Sequence, residues 1–208
     1  MDSRSSLRRR TEAVSGYLTH FVESTLETYL NGRGKVVFIG RSSRPFYNIA
    51  STYTESDIEF IDVPRKLLEQ NPDDLVFQYL EDSGAFADDT VTLVDDGGRG
   101  YFMRKLRGVI ERESRNTIDV TSQTLFCLDP RQPCRLYQHP SEAPYIVRSL
   151  LFLGKQPHPY RLTGELVEKD GVVSAVSYPT SLSEQKDAQE VTSILKNKAL
   201  SNAKRIFC

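Results

Sequence analysis

Apolar positions along the chain alternate between two periods, one suited to helices and one to buried strands. From Thr11, Val14, Tyr17, Leu18, Phe21, Val22, Leu26, Tyr29 and Leu30 recur at helical spacing, and Asn31-Gly32 supplies a stop. The spacing predicts an amphipathic helix laid against a sheet. Lys35 to Gly40 (KVVFIG) then reads as a short, fully buried strand, because four consecutive apolar side chains leave no polar face. A second helix follows, with Pro45 in its first turn and Phe46, Ile49 and Ala50 as its inner face. Ile58 to Val63 (IEFIDV) is the next strand, ended by Pro64, and a helical stretch centres on Leu75, Val76, Tyr79 and Leu80. Val91, Leu93 and Val94 make a third buried strand, and Tyr101, Met103, Leu106, Val109 and Ile110 return to helical spacing. Thr117 to Leu128 is a further strand, expected inside the sheet, and Pro140 to Lys155 holds a short apolar helix.

The last quarter has a different pattern. Leu162 to Lys169, then Asp170-Gly171, then Val172 to Tyr178 is a hairpin signal, since Asp-Gly favours the tight type I′ turn. Ser183 to Phe207 closes the chain as a helix with Val191, Ile194, Leu195 and Leu200 facing inward. The pattern implies an α/β fold with a largely parallel sheet flanked by helices and a C-terminal hood of hairpin plus helix. The corresponding division is a flexible arm over 1–10, an α/β core over 11–128 and a hood over 129–208.

Totals change this picture little. The 208 residues suit one domain with a decorating subdomain. With 27 basic against 28 acidic residues there is no global field to draw nucleic acid, and Arg8-Arg9-Arg10 reads as a solvated arm. No apolar run approaches the roughly 20 residues that span a bilayer. The basic N-terminus lacks the apolar segment of a secretory signal. Three cysteines (Cys127, Cys134, Cys208) are too few and too oddly placed for a disulfide framework. A cytoplasmic protein without a membrane partner is the expectation, with a homodimer as the default assembly.

Candidate chemistry gathers at two strand ends. The third strand runs into Asp95-Asp96, then Gly97-Gly98-Arg99-Gly100-Tyr101 before the next helix. Glycines in such a turn leave backbone N–H groups to point at an anion, and the helix N-terminus adds partial positive charge. Two adjacent carboxylates accept hydrogen bonds from vicinal hydroxyls or face a hard cation such as Mg²⁺. The bland reading of the pair is a helix cap, but a cap needs only one acid. Asp88-Asp89, at the other end of the same strand, belongs to a loop. After the first strand comes Gly40-Arg41-Ser42-Ser43-Arg44-Pro45, again a small, basic strand-to-helix turn.

Together these stretches resemble the type I phosphoribosyltransferases. In that family an acid pair holds the ribose hydroxyls of phosphoribosyl pyrophosphate (PRPP), a glycine turn holds its 5′-phosphate, and the turn after the first core strand binds pyrophosphate. The resemblance implies that Asp95, Asp96 and Arg41 carry the reaction. Gly40 to Arg44 and Asp95 to Tyr101 would line the ligand site, with Mg²⁺ at Asp95 and Asp96. It implies attack by a nitrogen acceptor on the ribose as pyrophosphate leaves. The turn departs from the family in being short and without Thr, with Arg99 and Tyr101 in its place. Two other readings stand beside the enzyme. One is a non-catalytic regulator of the same fold that senses PRPP or a nucleotide, and the other an interaction module whose glycines only turn the chain. No P-loop or nucleophile elbow is present, and His20, His139 and His158 lack metal-ligand spacing.

Overall fold

The computed structural model describes residues 3–30, 34–54, 58–86, 89–98, 101–127, 152 and 157–206. The protein is α/β. Strands β1 (Lys35–Ile39), β2 (Ile58–Ile61), β3 (Thr90–Gly98) and β4 (Asp119–Cys127) form one parallel sheet in the order β2-β1-β3-β4. Helices α1 (Ser3–Leu30), α2 (Arg44–Ala50), α3 (Arg65–Gln70), α4 (Asp73–Asp82) and α5 (Tyr101–Glu113) accompany it. The antiparallel hairpin of β5 (Tyr160–Lys169) and β6 (Val172–Pro179) and the long helix α6 (Leu182–Ile206) follow.

Period-two alternation in the central strands sorts the core into two layers. Val36, Phe38 and Val94 pack with Leu18, Phe46, Ile49 and Leu195, so α1, α2 and α6 cover one face. Val37, Ile39, Val91 and Leu93 pack with Leu67, Leu80, Leu106 and Ile110, so α3, α4 and α5 cover the other. The hairpin joins this second layer through Leu166 and Val173. The C-terminal hairpin and helix thus lie on opposite faces of the sheet.

The hairpin turn takes the expected form, with positive φ at both Asp170 (56°) and Gly171 (78°). Five other expectations change. Helix α1 starts at Ser3, within the stretch expected to be a mobile arm, because Leu7 continues the inner stripe of Val14 and Leu18 and is buried with them. Among the described strands β4 lies at an edge, not inside. Helix α3 was hidden in a charged stretch whose only inward residues are Leu67 and Leu68. In α6 the inner stripe is Ala188, Val191, Leu195 and Ala199, which leaves Leu200 half exposed, one helical step off that face. Strand β3 does not end at the acid pair, since Gly97 and Gly98 still pair with Phe126 and Cys127 of β4. The helix expected over 140–155 lies outside the described residues apart from Phe152, as do Cys134 and His139.

Candidate functional site at the carboxyl edge of the sheet

In an open α/β sheet, ligands bind outside the carboxyl ends of the strands where successive connections leave in opposite directions. The order β2-β1-β3-β4 puts that point between β1 and β3. Their pairing ends with Phe38 opposite Val94. The next residues are Ile39 and Gly40 on β1 and Asp95 and Asp96 on β3. The 3₁₀ turn Arg41–Ser43 lies against β3. Two stretches more than fifty residues apart in sequence therefore meet at one crevice.

Gly40 shapes its near wall. Its backbone adopts φ 80° and ψ 160°, a region open essentially to glycine alone. Its N–H donates to the Ile61 carbonyl at 3.0 Å, which ties the turn to β2. Ser43 is fully buried, and its hydroxyl lies 2.8 Å from the carbonyl oxygens of both Ile39 and Gly40. That side chain therefore locks the turn. Ser42 and Arg44 remain partly exposed.

The two arginines of the turn point to different partners. Arg41 Nε donates to Asp62 Oδ2 at 3.3 Å. The Arg44 guanidinium stacks on the rings of Phe60 (5.1 Å) and Tyr160 (5.4 Å). Asp62 follows β2 immediately and is buried, so it belongs to the same edge. Burial pushes its carboxyl above the usual range, although Arg41 and Arg44 pull the other way. The Tyr79 hydroxyl donates to the Asp62 carbonyl at 3.1 Å, and burial raises it to about 12, helped by the Asp62 charge. His158, just ahead of β5, is lowered to about 4, first by burial and then by Arg41, Arg44 and Arg161. Burial first, and then three guanidinium charges, thus favour the neutral imidazole.

On the far wall, Asp95 is buried at the point where β1 turns away. Strand β3 runs on to Gly98, so β1 no longer covers that edge of its backbone. Only Arg99 and Gly100, both outside the described residues, separate the strand from Tyr101 at the start of α5. Tyr101 is exposed, and the Arg65 guanidinium lies 5.9 Å from its ring centre. The Asp96 side chain is not among those described.

Among the described residues no group of three or more His, Cys, Asp or Glu converges as a protein-only metal cage. Mg²⁺ held partly by substrate phosphates needs only one or two carboxylates. At the end of β3 the described side chains include one such carboxylate, that of Asp95. Sequence reasoning missed Asp62, Tyr79, His158 and Tyr160. The one available signal was an acid directly after an apolar strand, in IEFID.

No protein-family model matches this chain, and no curated protein matches it. Among the described residues, no helix is long and apolar enough to cross a membrane.

Proposed function

We propose that this protein binds PRPP or another ribose-5-phosphate-containing nucleotide across the carboxyl ends of β1 and β3. The observation that carries the reading is the sheet order, which brings the basic Gly40–Arg44 turn beside Asp95 and Asp96. Arg41 and Arg44 supply positive charge for a diphosphate, and the carboxylates accept hydrogen bonds from a ribose diol. The β3 backbone past Asp95, with the start of α5, offers donors for the 5′-phosphate.

The reaction such a site supports is transfer of the phosphoribosyl group to a nitrogen acceptor. The C1–O bond to pyrophosphate breaks as the C1–N bond forms, and the acceptor's proton leaves to solvent. The residues hold the two partners in line, and the arginines stabilise charge growing on pyrophosphate. Bound Mg²⁺ would add charge neutralisation on the diphosphate.

Binding without transfer is a second reading, favoured by one observation. Two of the three glycines expected in the phosphate turn are paired in the sheet, which leaves a short connection and little room for hydroxyl-bearing contacts. Calorimetric titration with PRPP, with and without Mg²⁺, tests the shared claim on wild type and on Asp95→Asn/Asp96→Asn. Mg²⁺-dependent binding lost in the variant supports it. No binding of PRPP, ribose 5-phosphate or nucleoside monophosphates to wild type sinks it. Release of pyrophosphate with an acceptor base then separates enzyme from sensor.

A further inference from the structure

His158 stands at the base of the hairpin, where the chain enters β5. Its carbonyl accepts from the Thr180 hydroxyl at 2.7 Å, and the Pro159 carbonyl accepts from the Thr180 N–H at 3.3 Å. Thr180 is itself buried and tied to α6, since its carbonyl accepts from the Gln185 side-chain amide at 2.8 Å. The segment is therefore fixed in place before any ligand arrives. Pro157 and Pro159 line a cavity of about 290 Å³ between α2 and α6, with Arg44 also in its wall. Tyr160, the next residue, turns its ring to the Arg44 guanidinium at 5.4 Å. His158 is thus flanked in sequence by residues that meet or share a wall with Arg44 in space.

The charges that bear on its imidazole are those of Arg41, Arg44 and Arg161. They are unequally matched. Arg41 lies against Asp62 at 3.3 Å and Arg161 against Glu184 at 3.4 Å, whereas among the described residues no carboxylate pairs with Arg44. Tyr79 and Tyr160 are the other titratable groups of this corner, and burial raises both hydroxyls, so they stay protonated and uncharged. The arginines therefore outnumber the carboxylates around the ring. We propose that His158 belongs to the anion site and takes up a proton from solvent when a diphosphate settles on Arg41 and Arg44, a step that rests on the diphosphate reading of the Gly40–Arg44 turn.

The charges that keep a proton off the ring are the ones a diphosphate neutralises. The negative charge of the ligand then favours the imidazolium, which presents an N–H donor at each ring nitrogen. Without the ligand, the protein avoids holding a fourth cation among three guanidinium groups. With it, the fourth cation becomes a further partner for the phosphate oxygens. The linkage is reciprocal, so the protonated ring tightens the diphosphate by the same factor by which the diphosphate favours the proton. Affinity for a diphosphate therefore gains a contribution from His158 that grows as pH falls.

The test uses the full chain, labelled with ¹⁵N, and inorganic pyrophosphate without metal. His158→Asn assigns the ring signals of His158 by their loss. At pH 5 that ring is expected to be mostly neutral in the free protein and at least half protonated with saturating pyrophosphate. In calorimetry, His158→Asn is expected to bind pyrophosphate like wild type at pH 8 and about three- to tenfold more weakly at pH 5. Comparing the two proteins at one pH cancels the titration of pyrophosphate itself and of Asp62. A His158 that only packs would give the same ratio at both pH values. The proposal is overturned if pyrophosphate binds while the ring stays neutral at pH 5, or if the ratio of affinities does not change with pH. In either case the crevice keeps its diphosphate site. If pyrophosphate does not bind wild type at either pH, the proposal and the diphosphate role of the turn fall together.

Discussion

His158 makes the stability of this protein fall in mild acid, by an amount that can be worked out. Its imidazole has a pKa near 6.5 when unfolded and about 4 in the fold. A lowered value means that the folded state prefers the neutral ring. The stability this confers is fully present above pH 6.5, is lost as pH falls from there, and is gone below about 4. Applied to those two values, the linkage relation gives a loss of at most about 1.8 kcal/mol between pH 7 and pH 5. The ring is partly solvent-exposed, and screening there brings the expected loss to about 1 kcal/mol. Asp62 acts in the opposite sense. Its raised carboxyl contributes stability that is full below the usual carboxylate range and is lost as pH rises through its folded value, so it offsets part of the acid loss. His158→Asn separates the two, because it removes one titration and leaves the other. Urea unfolding of both proteins at pH 7 and pH 5 measures the difference. Wild type is expected to lose about 1 kcal/mol more than the variant over this interval. A variant that loses as much as wild type, or a His158 ring that titrates near 6.5 by NMR, would refute the reasoning.

Gly40→Ala tests the corner of the first turn. A Cβ there meets nothing closer than the Val63 carbonyl oxygen at 4.0 Å, so the cost is backbone strain alone, about 1–3 kcal/mol in a thermal or urea melt. Phe46→Ala removes a fully buried ring from the α1–α2–α6 layer and is expected to cost about 3–5 kcal/mol by urea unfolding. Arg44→Met keeps an apolar stem between Phe60 and Tyr160 but deletes the charge. It is expected to weaken PRPP binding about tenfold or more in calorimetry while shifting the urea midpoint little.

What the sequence made legible follows from how local each signal is. Val36 to Ile39 could only be a strand buried on both faces, and Asp170-Gly171 could only be a tight turn. Each feature rests on the residues themselves, and each is where it was expected. Helix α1 was read too short because Leu7 is a lone apolar residue beside three arginines, and its burial depends on a partner layer that the sequence does not display. Leu200 reads as inward because leucine carries a strong hydrophobic signal, whereas the residue buried at that end of α6, where it packs against α1 and α2, is the smaller Ala199. The overrun of β3 through Gly97 and Gly98 is a pairing effect, since β4 supplies partners that no glycine motif announces. At the site, the two basic and acidic stretches were legible as motifs. Asp62 was not, because its partners Arg41, Tyr79 and Tyr160 converge only after the chain has crossed the sheet and returned through the hairpin.

The carboxyl edge therefore draws its character from topology more than from any single motif. A glycine turn after a strand is common, and so is an acid pair before a helix. Neither specifies a ligand alone. Strand order converts them into opposite walls of one crevice, and the same order sets Asp62 one strand further along, within reach of Arg41. Arg41 thus stands on the side of the crevice away from β3, with its Nε held by the Asp62 carboxylate just past β2, and the basic wall is tied to the neighbouring strand as well as to its own.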